Sequence, residues 1–245
     1  MAPRARNTER RVDALSRERI VAAAVELLDV TGESGLTFRA LAAHLRTGAG
    51  AIYWHVANKG ELLIAATDAA LAQAMAAEAA DDSPEDAIRA VALGVFDAID
   101  AHPWVGTQLS HAPTQPAMLW FFERVGRQVQ ALGVPPAAHF TSASALTNYI
   151  LGVGGQNAAN ARSHAPGRNR TDFLETVSAV WASLDPGEYP FTRNVAAQLR
   201  DHDDREQFLA GIDLILAGIA SLPRLAAGPI GKAQPQRLAS AEHPL

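Results

Sequence analysis

The residues of this chain best suited to chemistry lie between Thr37 and Leu63, where the sequence reads TFRALAAHLRTGAGAIYWHVANKGELL. Tyr53, Trp54 and His55 put three amphipathic rings in a row, with Lys59 shortly after them. Three successive rings cannot all point inward on a helix of about 3.6 residues per turn, so at least one is expected at the surface. Rings with a polar edge beside an ammonium suit phosphate oxygens and base edges. Just ahead of them, Gly48-Ala49-Gly50-Ala51 carries nothing larger than a methyl group. Such a run lets backbone approach a duplex closely, and an alanine methyl can touch a thymine methyl. Enzyme chemistry finds no comparable footing. The chain has no cysteine, which removes disulfides, cysteine zinc sites and thiol catalysis. Its eight histidines include His102, His111, His139 and His164, dispersed along the chain, and no HExxH is present. There is no GxGxxG and no P-loop, and the glycines at 152, 154 and 155 follow no strand that could make them a phosphate cradle. No catalytic residue, metal ligand or cofactor is therefore expected.

The elements that must position these side chains read as helices throughout, because β-branched alternation is scarce and Ala, Leu, Glu and Arg abound. Residues 1–15 form a basic, flexible arm. Ser16 is an N-cap ahead of Ile20, Ala24, Leu27 and Leu28, which share one face, and Gly32 and Gly35 end that helix. Thr37 caps a short second helix that turns Leu41 and Leu45 inward. After a break at Arg46-Thr47-Gly48 a third short helix runs from about Ala49 to Trp54. Asn58-Lys59-Gly60-Glu61 has capping-box spacing and opens a long fourth helix. Two short helices joined by a tight turn make a helix-turn-helix, whose second helix enters the major groove. Leu41, Leu45 and Ile52 would pack the pair together.

Beyond it, Ser83-Pro84 starts a helix with the stripe Ile88, Val91, Val95 and Ile99, closed by His102-Pro103. Pro116 starts another, with Met118, Phe122, Val125, Val129 and Leu132 as its expected inner face. Residues 131–161 hold no Asp, Glu, Lys or Arg but many amides and hydroxyls, which suits a buried helix better than a membrane span. A loop is expected over 162–170. A helix then carries Phe173, Val177, Val180 and Leu184, and a last one carries Phe208, Ile212, Ile215, Ile219 and Leu222. The organisation expected is an arm (1–15), a helix-turn-helix domain (16–62), a larger helical domain (63–222) and a disordered tail (223–245). With no signal peptide after the polar, Arg-rich start, a cytoplasmic location is expected.

Charge is divided unevenly between these parts. The whole chain carries −5, but residues 1–62 hold nine Lys or Arg against seven acids, a net of +2, leaving −7 for the remainder. A basic arm beside short helices suits a phosphate backbone, although a solvated terminal tail would show the same composition.

The stretch from about Ser16 to Ala70 resembles the DNA-binding domain of the tetracycline-repressor (TetR) family of transcription regulators. The match is strongest through Tyr53-Trp54-His55-Val56, Asn58-Lys59 and Glu61-Leu62-Leu63. It implies that Arg39 reaches a base edge or phosphate, that Ala49, Gly50 and Ala51 face the groove, and that Tyr53 and His55 contact phosphates or bases. Lys59 would meet a phosphate, and Trp54 either DNA or the space between arm and helix. With Thr37 these form the candidate DNA-contacting set. Arg46-Thr47-Gly48 departs from the family's usual Gly-Val-Ser-like turn, and Gly50 stands where many members have proline or a polar residue.

The larger domain resembles the family's carboxy-terminal domain through His102-Pro103-Trp104 and through residues 208–218. The resemblance implies a homodimer built from two late helices of each subunit, and an enclosed ligand pocket. The wide apolar face of the last helix (Phe208, Leu209, Ile212, Ile215, Leu216, Ile219), with Leu146 and Ile150, is the expected dimer interface. A pocket should be apolar with a few polar groups. Its candidates are Phe96, Trp104, Met118, Trp120 and Phe122, with His111, Asn148 and Gln156 as hydrogen-bonding partners. Met75 stands where tetracycline-binding members use a histidine, which points to a different hydrophobic small molecule, such as a drug or secondary metabolite. The sequence expectation is therefore an all-α homodimeric repressor that binds double-stranded operator DNA and releases it on binding a small-molecule effector. A ligand-dependent activator or co-repressed regulator on the same fold remains an alternative, as does a helical enzyme or lipid carrier that binds no DNA.

Overall fold

The computed structural model describes residues 15–74, 83–111, 113–163 and 170–222. The arm, the tail, Met75 and most of the expected loop over 162–170 lie outside these residues. Among the described residues there are eleven helices and no strand. No helix among them is long and apolar enough to cross a membrane.

Four helices make the N-terminal head: α1 (Arg17–Gly35), α2 (Phe38–His44), α3 (Ala49–Tyr53) and α4 (Lys59–Ala74). Their starts are set by side chains that satisfy orphan amides. The Ser16 hydroxyl accepts from Arg19 N, and the Thr37 hydroxyl accepts from Ala40 N. Asn58 Oδ1 accepts from Glu61 N, while Glu61 Oε2 reaches past Asn58 to accept from Ala57 N at 2.8 Å. The expected capping box is thus displaced by one residue on its return arm. Gly32 adopts φ 66°, bending the end of α1. α2 stops because Arg46 takes φ 54°, with Thr47 N donating to Ala42 O and Arg46 N to Ala43 O. That is a Schellman ending with arginine in the left-handed position glycine favours. Ile20, Ala24, Leu28, Leu36, Leu41, Ile52, Val56 and Leu62 fill the head's core.

The larger domain comprises α5 (Pro84–Ala101), α6 (Trp104–His111), α7 (Pro116–Ala131), α8 (Pro136–Ser163), α9 (Arg170–Ser183), α10 (Pro190–Asp201) and α11 (Asp204–Ala220). α5 is its centre, packing against α4, α6, α7, α8 and α11. Its expected stripe of Ile88, Val91, Val95 and Ile99 is buried. α8 crosses α5 at Gly154, where a Cβ would come within 3.1 Å of Ile99 Cδ1; Gly152 and Gly155 face open space. α9 and α10 pack chiefly on each other, and the Arg193 guanidinium ties them by donating to Ala182 O and Leu184 O.

Several sequence expectations are corrected here. α6 and α10 have no counterpart in the sequence reading, and both begin beside a proline or a proline-containing turn. α7 turns Ala117, Phe121, Val125 and Val129 inward and leaves Met118 and Phe122 at its half-buried flank. On α9, Leu174 and Ser178 are buried while Phe173 and Val180 are exposed. The proposed dimer residues Leu146, Ile150, Phe208 and Ile212 are fully buried inside their own subunit, and Leu216 and Ile219 nearly so. Their side chains are given over mainly to the core of their own subunit. The apolar width of α11 serves its own packing, since Phe208 stacks on Phe96 at 4.6 Å and on Tyr149 at 5.7 Å. Tyr149 also donates to Phe208 O, and any side chain at Gly211 would overlap the Tyr149 ring. Of the expected set Leu209 and Ile215 are partly exposed, and the surface of α11 is carried chiefly by Leu214, 77% exposed, with Ala210, Ala217 and Gly218.

Candidate nucleic-acid interface

α1 and α4 form the platform that holds α2 and α3. Arg17 on α1 pairs with Glu61 on α4 at 3.1 Å, and the Lys59 ammonium donates to Glu33 O, near the end of α1, at 2.6 Å. The Ala57 amide and the Arg17 guanidinium hold the Glu61 carboxyl below its ordinary pKa, because both stabilise the charged form. His44 on α2 lies 2.8 Å from the Glu26 carboxylate on α1. With Leu41 and Ile52 fully buried, α2 and α3 are seated on this platform by apolar contact as expected.

The candidate contact residues differ in exposure. Trp54 is 90% exposed and Tyr53 55% exposed. Arg39 and Gly50 are exposed, and Ala49, Ala51, His55 and Lys59 are half-buried. Exposed large aromatic surface on a small head is the informative observation, because such rings are ordinarily interior. Arg39 makes no ion pair or hydrogen bond among the described residues, so its guanidinium is available. The Thr37 hydroxyl accepts from the Ala40 amide of α2 and keeps its own O–H to donate. Lys59 is engaged by Glu33 O, but an ammonium has three donors and keeps two for a phosphate. Sequence reasoning missed Phe38, whose ring lies parallel to that of Tyr53, with centroids 4.5 Å apart and planes 1° apart.

The head meets the larger domain through α4, which packs on α5, α6 and α7, and through a polar corner on α1. Asp29 Oδ1 on α1 accepts from Trp104 Nε1 at 2.8 Å and lies 2.8 Å from His102 Nδ1, while Glu33 Oε2 accepts from Gln108 Nε2 at 3.0 Å. These partners, separated by more than seventy residues in sequence, could not be paired from spacing alone.

The candidate ligand residues are not gathered into one site. Phe96 is interior against Phe208, and Trp104 belongs to the corner with Asp29. Trp120 is exposed with the Arg124 guanidinium 4.7 Å from its ring centre, and Phe122 tilts against Phe140 at 6.2 Å. Met118 is half-buried, Asn148 and Gln156 are exposed, and the His111 side chain lies outside the described residues. Among the described residues no group of three or more histidines and carboxylates is placed to hold a metal.

Comparison with known proteins decides the family. The family model described as bacterial regulatory proteins, tetR family, matches residues 20–66, and that described as tetracyclin repressor-like, C-terminal domain, matches residues 78–222. The chain belongs to the TetR family. It is thus a DNA-binding transcriptional regulator of a non-enzymatic family. An HTH-type transcriptional regulator of Saccharopolyspora erythraea is 32% identical over 210 residues, 84% of this chain and 85% of that protein. The solved structure of the TetR regulator SCO7222 from Streptomyces coelicolor superposes with a TM-score of 0.78 at 60% identity, covering 86% of this chain and all of that one. ActR of Streptomyces coelicolor, solved with actinorhodin, shares the fold with a TM-score of 0.67 at 22% identity over 85% of this chain and 99% of that one.

Proposed function

We propose that this TetR-family chain is a cytoplasmic repressor that binds a roughly palindromic operator as a homodimer and releases it when a small hydrophobic molecule binds the larger domain. The observation that carries the DNA reading is the layer of exposed Tyr53, Trp54, Gly50 and unpaired Arg39 on a head whose remaining large apolar side chains are mostly buried. In this reading Arg39, Tyr53, Trp54, His55 and Lys59 meet phosphates and base edges, and Ala49, Gly50 and Ala51 lie against the groove floor. The two copies of α3 would enter successive major grooves about 34–36 Å apart. The dimer would form through the outer strip of α8 and α11, where Leu214, Ala210, Ala217, Asn148 and Gly152 are exposed and uncharged. The effector reading is supported by the repressor-like match over residues 78–222 and by the small molecule in ActR.

Selection of bound duplexes from a random pool tests the DNA reading, with enrichment of a two-fold-related site expected. Failure to enrich any sequence would overturn it. Mobility shift of the selected duplex in the presence of hydrophobic small molecules then tests the sign of regulation. Loss of the shifted band is the expected result, and a band strengthened by ligand would make the chain a co-repressed regulator instead.

A further inference from the structure

We propose that Phe38 is a positioning residue for DNA recognition, acting through Tyr53. The proposal rests on the DNA-binding reading above. Tyr53 closes α3 and is more than half exposed, and its hydroxyl has no partner among the described residues. An exposed tyrosine at the end of a five-residue helix would ordinarily sample several rotamers, and ordering it on a duplex would cost affinity. Here it does not stand free. Its ring lies flat on Phe38, with planes 1° apart and centroids 4.5 Å apart. Phe38 is itself half-buried against the head's core. The stack therefore restricts both side-chain torsions of Tyr53 while leaving its hydroxyl outward.

The position of Phe38 in the chain gives the contact a second effect. Phe38 is the first residue of α2, directly after the Thr37 cap and directly before Arg39. The stack thus pins the outer edge of α2 to the end of α3, and sets the spacing between Arg39 and Tyr53, the two donors those helices offer. Leu41 and Ile52 hold the same two helices together from beneath, but apolar contact there does not fix the rotamer of an exposed ring. An offset aromatic pair contributes enough, beyond the area it buries, to change an equilibrium by about threefold to tenfold.

The test is a double-mutant cycle on affinity for a duplex selected from a random pool, at matched salt, with thermal unfolding of each variant measured alongside. Phe38→Leu keeps apolar volume but removes the flat face, and should weaken binding by about threefold to tenfold. In the Tyr53→Ala background the same change should have no further effect, since Phe38 acts through the ring that has been removed. Phe38→Tyr, which restores a flat face, should recover most of the affinity. An equal loss in both backgrounds would reduce Phe38 to a structural residue and overturn the proposal, as would unchanged affinity of Phe38→Leu. A wild-type chain that enriches no duplex would overturn the DNA-binding reading and this proposal with it.

Discussion

In the head, the aromatic rings at the end of α3 are left outside: Trp54 has almost no protein around it, and Tyr53 is more than half exposed, its ring lying against Phe38 of α2. In the larger domain, Trp120, Phe140, Phe173, Tyr189 and Phe191 are exposed, but Phe96, Trp104, Phe121 and Phe208 are interior, and Phe208 joins α11 to α5 and α8 by stacking on Phe96 and Tyr149. The same residue types thus do different work in the two regions. Where a ring is buried between helices its removal leaves a cavity, and the cost falls on folding. A ring held outward by a short helix contributes little to folding, and its removal is felt by whatever it touches. The contrast also explains why the head could be read locally. A contacting surface built from one turn and two short helices is contiguous in sequence, whereas a pocket or a dimer face is assembled from distant helices.

The sharpest way to break this comparison is to exchange the two kinds of loss. Phe208→Ala removes a fully buried ring stacked on both Phe96 and Tyr149, and should lower stability by about 3–5 kcal/mol in thermal or urea unfolding. A change below about 1 kcal/mol would mean that α11 is not seated as described. Trp54→Ala should leave the unfolding midpoint within error yet weaken operator binding about tenfold or more, as loss of an exposed aromatic anchor does; a destabilised but fully binding variant would reverse that assignment. Gly50→Ala separates the two properties within one residue. A Cβ at Gly50 would meet nothing within 4 Å, and its φ is not positive, so alanine should stabilise the free head by up to about 1 kcal/mol. If the groove approaches as closely as proposed, the same change should weaken operator binding, and a variant that gains in both would rule out close approach.

The smallest expected effect is one of pH. The Glu61 carboxyl is held low by the Ala57 amide and Arg17, so its contribution is fully present above the ordinary carboxylate value of 4.5 and is lost as pH falls through the depressed one. Exchange of the Ala57 amide proton, taken relative to its intrinsic rate at each pH, should quicken over that acid range in the wild type. In Glu61→Gln, whose side-chain oxygen can accept the same bond without titrating, no such step should appear; an identical acid step in the variant would assign it to another group.

The limits of what could be read from sequence follow the same division. Ser16, Thr37, Asn58 and Ser83 announce helix starts because a cap acts on amides two or three residues away. The face of α7 was misplaced by one residue because Phe121 and Phe122 are adjacent, and a period of 3.6 cannot choose between neighbouring rings of equal apolarity. Helix α10 escaped notice although Val195, Ala196 and Leu199 mark one side of it, because it is short and mostly polar. The burial of the expected dimer residues within their own subunit was illegible for a different reason. A wide apolar face says how much surface is to be covered but not by what, and here α5 and α8 of the same subunit cover it. Phe38 and Asp29 were invisible because each matters through one partner brought to it by folding.

The double engagement of Asp29 has a mechanical meaning. An oxygen held by two donors from the α5–α6 corner resists swivelling as well as separation, because turning α1 about either bond stretches the other. Gln108 grips Glu33 one turn further along the same helix, giving the head a heading as well as an attachment. The angle at which α3 faces outward is therefore set jointly by the corner at His102 and Trp104 and by the seat of α4 on the larger domain.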